Sequence, residues 1–494
     1  MAQTTVDADR FSAEADWDVL YLDGERERGD RDALEVDDPA TEEVFTTVPA
    51  GTVEDVDAAY ETAAEAGREW AARPPQERAA VVERAVEVVE EHRETLVDLL
   101  GTESGSTVVK ANAELDTALG MMREAVSFPT RVGGEVKESL TPGKENLAKR
   151  EPVGVVGVIS PWNFPFHLSM RAVAPALALG NGVVLKPAST TPITGGLLLA
   201  RLFEAAGLPE GLLNVVPGHG SDIGDRMAGH PEASVVAFTG STGVGKGVAK
   251  QAVDHLAYPA MELGGNNPHV VLSDADVDAA VDSAVFGSFL HQGQICISIN
   301  RHLVHESVYD EYVEKLTERA ASLPVGDPHD PDTVVGPIID DDQRDQILAY
   351  VEETVEQGAT LETGGEAEGR FVEPTVLSGA TNDMSAACNE HFGPVAPVVP
   401  VADDEEAVEL ANDTEYGLAA SVHSTDRERA ERVADRIDAG MVHINDQPVN
   451  DEPHVPFGGV KASGIGRFNG EYIMEELTRT KWVSVQRDER DYPF

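Results

Sequence analysis

From Glu151 onward the chain alternates between two kinds of segment, and this alternation restricts the folds open to it. VGVVGVI, GNGVVLKP, LLNVVPG and ASVVAFTG are short β-branched runs bounded by Gly or Pro, and stretches with helical apolar spacing such as TGGLLLARLFEAAG lie between them. Consecutive strands separated by helices pair in parallel, because a parallel pair needs a crossover. The pattern predicts a doubly wound parallel sheet, which binds ligands at the carboxyl ends of its strands. The alternation resumes after Glu262 with NPHVVLSD, DAAVDSAVFGSFLH, NRHLVHE and SVYDEYVEKLTERAA, and predicts a second α/β domain. Residues 52–100 read as two helices divided at Pro74–Pro75, and TKWVSVQ at 480–486 alternates as an edge strand that another subunit would cover. A length of 494 residues leaves room for two to four domains.

Charge excludes one class of partner. Asp and Glu number 89 against 37 Lys and Arg, a net charge of −52, so a nucleic-acid binder is not expected. The acidic residues are spread through periodic segments such as VEDVDAAYETAAEAGREW rather than gathered in a tail. They predict a heavily solvated surface suited to high salt, where counterions screen self-repulsion, and hence a salt-loving host. The opening MAQTTVDADRF lacks the basic and apolar regions of a leader, and the longest apolar runs fall well short of a bilayer span. Two cysteines, Cys296 and Cys388, are too few for a disulfide framework. A cytoplasmic protein without membrane contact is expected.

The stretch VVAFTGSTGVGKGVAK fits the G-x-x-x-x-G-K phosphate loop from Gly240 to Lys246. Such a loop requires Ser or Thr after the lysine to hold Mg²⁺, and Gly247 stands there instead. A strand leading through glycines to a helix N-terminus can still cradle a dinucleotide pyrophosphate, and it can equally be a plain turn.

Chemistry concentrates further on. MELGGNNP places Glu262 before two glycines, and FLHQGQICISIN places Cys296 among isoleucines. A lone Cys in apolar company is ordinarily an inert small hydrophobe. Asn163 in SPWNFPF follows a strand directly, and Glu390 lies in NEHFGPV. Together PWNFP, FTGST, ELGG, GQIC and EHFGP closely resemble the NAD(P)-dependent aldehyde dehydrogenase superfamily, in order, over residues 35–486. The separation of Glu262 and Cys296, 34 positions (296 − 262), is also that family's.

The resemblance implies Cys296 as nucleophile, with an oxyanion held by the Asn163 side-chain amide and the Cys296 backbone N–H. It implies hydride loss from the hemithioacetal to leave a thioester, with Glu262 as general base for its hydrolysis. Relatives that pass the acyl group to coenzyme A tend to lack this glutamate, so a free carboxylate product is implied. The implied cofactor, NAD or NADP, would be held by Ser160, Trp162, Lys186, Ser189, Gly220, Gly224, Phe238, Thr239, Gly240, Ser241 and Val244. Leu263, Gly264, Gln343, Glu390 and Phe392 complete that set. NAD-selective members carry Glu where this chain has Ser189; a serine neither grips the ribose hydroxyls nor repels a 2′-phosphate, so NADP⁺ should be accepted and even preferred. The implied fold is a cofactor domain (1–125 and 148–260), a catalytic domain (261–477) and a small β oligomerisation element (126–147 and 478–494), in a homodimer or homotetramer.

Phe166, Met170, Arg171, Leu290, Ile295, Ile297 and Phe457 are the expected substrate-pocket residues, with Phe164, His167 and Phe289 as further candidates. Their apolar character suits an aromatic aldehyde, and NFPFHLSMR, FLHQGQICIS and VHINDQPVNDEPHVPFGG resemble the benzaldehyde and vanillin branch. The rival substrate is succinic semialdehyde. Arg171 stands where one carboxylate-binding arginine would be, but Leu290 occupies the place of the second and Ser298 that of an additional cysteine. His291 reads as a general base for the thiol or as a structural hydrogen-bonding residue, and Cys388 as packing. The histidines show no metal-ligand spacing, so no metal is expected. A P-loop NTPase and a non-catalytic relative remain as distant alternatives; the first lacks its hydroxyl, and the second would be expected to have lost Cys296, Asn163 or Glu262.

Overall fold

The computed structural model describes residues 8–27 and 31–494. Residues 1–7, part of the stretch read for a leader, and 28–30 lie outside the described residues. Five parallel strands form the body of the first sheet, in the spatial order Leu213–Val215, Gly182–Lys186, Val155–Ile159, Ala233–Thr239, Tyr258–Glu262. The sequence reverses direction between Val155–Ile159 and Ala233–Thr239, which makes that junction the topological switch point. Antiparallel strands flank the body: Leu20–Leu22 and Glu25–Glu27 at one edge, Gly464–Ile465 at the other. The last of these returns from far along the chain to the sheet that ends at Glu262.

A second, largely parallel sheet runs Thr360–Thr363, Thr375–Ser378, Val395–Val401, Ile299–His305, Asn267–Val271, Ala419–His423, Met441–Ile444. Residues 263–266 link the carboxyl edge of the first sheet to the amino edge of the second. The facing edges of the two sheets therefore meet at one place. A third sheet pairs Thr478–Gln486 along the full length of Lys144–Pro152, with Glu135–Lys137 outside it. The edge strand read at 480–486 thus finds its partner within its own chain. The helix Val108–Arg131 extends past residue 125 before that sheet begins.

Local chemistry sets these elements. Thr52 and Asp55 form a reciprocal capping box at the start of Val53–Ala71, and Pro75 opens Pro75–Glu91 at its first turn. The helix Pro165–Leu179 is buried along its whole length between the first sheet and the helices Pro75–Glu91 and Val108–Arg131, so it must be apolar on every side. Gly180, at φ 99°, ends it in a left-handed cap. No described helix is long and apolar enough to cross a membrane. Among the described residues, no group of His, Cys, Asp or Glu is arranged to hold a metal ion.

Candidate active site

A cavity of about 260 Å³ opens at the switch point of the first sheet. Pro161, Trp162 and Asn163 enter it from the end of Val155–Ile159, and Thr239, Gly240 and Ser241 from the end of Ala233–Thr239. Leu263 and Gly264 follow the neighbouring strand, and Cys296, Gln343, Glu390 and Phe392 close the cavity from the side of the second sheet. The Ser241 hydroxyl accepts from Val244 N–H at 3.5 Å and starts the helix Thr242–Asp254, so the stretch read as a phosphate loop is a capped helix N-terminus. Val244 itself is exposed, whereas Phe238 is buried beneath Gly240, where an added Cβ would lie 2.7 Å from the ring.

The remaining predicted cofactor residues lie along the same carboxyl edge. Lys186 ends its strand buried, its Nζ donating to Pro187 O at 3.0 Å, and burial lowers its pKa to about 8. Ser189 lies half-buried in the turn beyond. Ser160 N–H donates to Lys186 O at 3.1 Å, which ties the two strand ends together. Gly220 and Gly224 form a wide helical turn after Leu213–Val215, and an added Cβ at either would meet nothing within 4 Å. A row of strand ends, a glycine turn facing open space and a capped helix N-terminus fit an extended dinucleotide.

Cys296 is held from several directions. It follows the turn Leu290–Gly293, where His291 (φ 49°) and Gln292 (φ 56°) are left-handed. Asn267 Nδ2 donates to the carbonyls of Cys296 (2.9 Å) and Ser298 (2.7 Å), while Ala419 N–H donates to Asn267 Oδ1 at 3.0 Å. Gly265 lies so close to the Cys296 carbonyl that a Cβ there would collide with it. The Asn163 amide donates to Gln294 O at 2.9 Å, which brings it onto the cysteine loop. Its own position depends on buried Glu114, which accepts from Phe166 N–H (2.9 Å) and His167 N–H (3.0 Å) and so caps the helix that follows Asn163. Lys110 neutralises Glu114 at 2.5 Å.

The titratable groups are displaced towards neutrality. Burial first, and then the Glu390 carboxylate, pushes the Cys296 thiol up to about 12, against the opposing charge of Arg171. Burial raises Glu262 to about 8; Arg171 and Arg467 oppose the shift and Asp451 adds to it. Neither Glu262 carboxylate oxygen has a hydrogen-bond partner. Gly458, at φ 151°, leaves room for this carboxylate: an added Cβ would lie 2.8 Å from Glu262 Oε1. Burial also raises Glu390 to about 7, and Gly265 N–H donates to it at 3.0 Å. Gln343 Nε2 donates to the carbonyls of His391 (3.1 Å) and Phe392 (3.3 Å) and so fixes the Phe392 loop, whose ring meets Trp162 edge-on at 5.5 Å.

On the other side of Cys296, Leu290, Ile295, Ile297 and Phe457 form one apolar cluster with Phe164 packed against it. Phe166 and Met170 do not belong to it. Both are fully buried in the main core beneath the first sheet, because a helix buried on every side hides which of its apolar residues face a pocket. Phe289 likewise packs into the core of the second sheet. Arg171 is buried between the Phe457 and Phe468 rings, 4.5 and 4.7 Å from their centres, with Nη1 3.4 Å from Asp451 Oδ2. His167 Nε2 lies 3.4 Å from the same oxygen without hydrogen-bond geometry. His291 is buried, its ring meets Phe164 edge-on at 5.5 Å, and the Asn163 backbone is the hydrogen-bonding group that faces it. Cys388 does not pack in the interior either: it is exposed at the end of the short helix Ser385–Cys388.

Sequence reasoning missed Pro161, Glu114, Asn267, Gly458 and Asp451. Pro161, Asn267, Asp451 and Gly458 lay inside the stretches PWNFP, ELGGNNP and VHINDQPVNDEPHVPFGG without being picked out of them. Glu114 lay outside every such stretch, because it acts on a helix distant in the chain.

A crevice at the switch point of a nucleotide-type sheet, running up to a cysteine at the amino edge of a second sheet, is the architecture of an oxidoreductase. The model of the aldehyde dehydrogenase family matches residues 26–483, and the chain belongs to that family. It is 50% identical to a vanillin dehydrogenase of Corynebacterium glutamicum over 94% of this chain and 97% of that one. The crystal structure of an NAD-dependent benzaldehyde dehydrogenase from the same species superposes with a TM-score of 0.87 at 45% identity, covering 98% of this chain and 100% of that chain. Betaine aldehyde dehydrogenase of Staphylococcus aureus in complex with NAD⁺ superposes with a TM-score of 0.95 at 34% identity, covering 99% and 98%. The fold and enzyme class expected from the sequence are borne out.

Proposed function

We propose that this protein oxidises aromatic aldehydes of the benzaldehyde and vanillin type to their carboxylates with NAD⁺, and accepts NADP⁺ as well. The observation that carries the reading is the position of Cys296, between the switch-point cavity and the apolar cluster of Leu290, Ile295, Ile297 and Phe457. The vanillin and benzaldehyde dehydrogenases similar to this chain support the substrate class.

A neutral, buried thiol attacks the aldehyde carbon and its proton passes to solvent water, which leaves Glu262, raised to about 8, free to act as base in the later hydrolysis. The Asn163 amide and the Cys296 N–H donate to the oxyanion that develops. The dinucleotide, when bound along residues 160–189, 220–224 and 238–244 and over Glu390 and Phe392, supplies the hydride acceptor. Glu262 then takes a proton from the water that hydrolyses the Cys296 thioester. Ser189 presents no carboxylate to a 2′-phosphate, and Lys186 beside it is the nearby cation.

The domain division given above is part of the proposal, with 464–465 crossing into the first sheet and 148–152 extending the third. That third sheet exposes Val136 (74%) and Trp482 (70%), with Leu140 exposed in the turn between its strands, which supports a homodimer or homotetramer built through it. A reducing compartment such as the cytoplasm suits a nucleophilic free thiol.

Succinic semialdehyde is disfavoured because Arg171 is already engaged by Asp451 and covered by Phe457. The test is reduced-nicotinamide formation at high salt with benzaldehyde, a short aliphatic aldehyde and succinic semialdehyde, each with NAD⁺ and NADP⁺, with Cys296→Ala run beside each. Benzaldehyde should lead and fall silent in the variant; a lead for succinic semialdehyde would refute the pocket reading.

A further inference from the structure

Behind the Phe457 ring lies a buried pair of opposite charges that the proposed chemistry does not use. Arg171 is 2% exposed at its side chain and Asp451 11%, and one Nη1–Oδ2 contact of 3.4 Å joins them. Arg171 Nε has no partner. Asp451 is held in place by Asn469 Nδ2, which donates to its other oxygen at 2.6 Å. Phe457 belongs to the apolar cluster beside Cys296, so the pair sits one ring behind the aldehyde pocket. Arg171 is also the foremost positive charge acting on both Glu262 and Cys296, which places its field inside the reaction chamber.

A buried guanidinium with donors to spare would attract an anionic substrate tail. With Asp451 ionised beside it, the pair carries no net charge, and a carboxylate arriving at Phe457 would meet the Asp451 charge as well as the Arg171 charge. We propose that Asp451 sets the charge selectivity of the aldehyde pocket: it masks Arg171, and so keeps a latent carboxylate subsite closed to anionic aldehydes. Asp451 is a positioning and masking residue, not one that touches the reacting atoms. The inference rests on the aromatic-aldehyde reading given above.

The test compares kcat/KM for 4-carboxybenzaldehyde and its neutral carboxamide analogue 4-formylbenzamide, substrates of closely matched shape that differ by one charge, with benzaldehyde as the reference substrate. In Asp451→Asn the ratio of carboxylated to neutral substrate should rise about tenfold or more, the scale of one unmasked charge in a partly screened site. Asp451→Glu should restore the wild-type ratio, and Asp451→Asn combined with Arg171→Met should abolish the gain. An unchanged ratio in a folded Asp451→Asn protein would overturn the proposal, as would a gain that survives loss of Arg171. Failure of the wild type to oxidise benzaldehyde would instead refute the aromatic reading, and that control is read first. Circular dichroism and a thermal melt of each variant separate loss of fold from change of selectivity.

Discussion

Replacing Glu262 by glutamine should stabilise the protein while it disables the chemistry. The side chain is 2% exposed as a residue, both its oxygens lack partners, and its pKa rises from 4.5 to about 8. Because the folded-state value lies above that of the unfolded chain, ionisation favours unfolding. Wild-type stability is therefore undiminished below about pH 4.5, falls as the pH rises towards 8 and reaches its full loss beyond that. The displacement corresponds to about 4–5 kcal/mol, and water entering beside the carboxylate reduces this to roughly 2–4 kcal/mol. For a chain of this length that is about 2–4 °C in Tm. The assay is a thermal melt of wild type and Glu262→Gln at pH 6 and pH 9 in one salt. The variant should gain about half as much at pH 6 as at pH 9, and its advantage should shrink away towards pH 4.5. An advantage that does not grow with pH would refute the reasoning, because it would mean that the carboxylate is not held in a dry, partnerless site.

Other expectations follow from the same geometry. Asn163→Ala should lower kcat by about 10²–10³, the usual loss for one oxyanion donor, with little change in KM. Ser189→Glu should reduce kcat/KM with NADP⁺ roughly tenfold relative to NAD⁺, and equal loss with both cofactors would remove Ser189 from the ribose site. A net charge of −52 predicts a higher Tm in molar KCl than in dilute buffer, checked by a melt across a salt series.

The strand-helix alternation carried the architecture because its signals are local: a β-branched run and a terminal glycine suffice to place Val155–Ile159 or Ala233–Thr239. The order of those strands, and hence the switch point that locates the cavity, is a long-range property that right-handed crossovers narrow but do not fix. The cavity brings together Trp162, Asn163, Thr239, Gly240, Ser241, Leu263, Gly264, Cys296, Glu390 and Phe392, all singled out beforehand from motifs, and Gln343, which the family resemblance implied. Less legible were residues whose effect needs a partner far along the chain. Arg171 reads as a carboxylate ligand until Asp451, 280 positions away, is seen against it. Glu114 reads as one more acid in a helix until it is found capping the helix behind Asn163. Phe166 and Phe164 are two positions apart, yet one enters the core and the other the cluster around Cys296. On a helix with no polar face, periodicity has no phase to report.

The central claim is that Cys296 carries the acyl group and Glu262 releases it. The most direct measurement is intact and peptide mass analysis of Glu262→Gln after one turnover with benzaldehyde and NAD⁺. One acyl group per subunit on the Cys296 peptide, accompanied by a burst of reduced nicotinamide of equal size, is the predicted result. A burst without an adduct, or an adduct on any residue other than Cys296, would contradict the account.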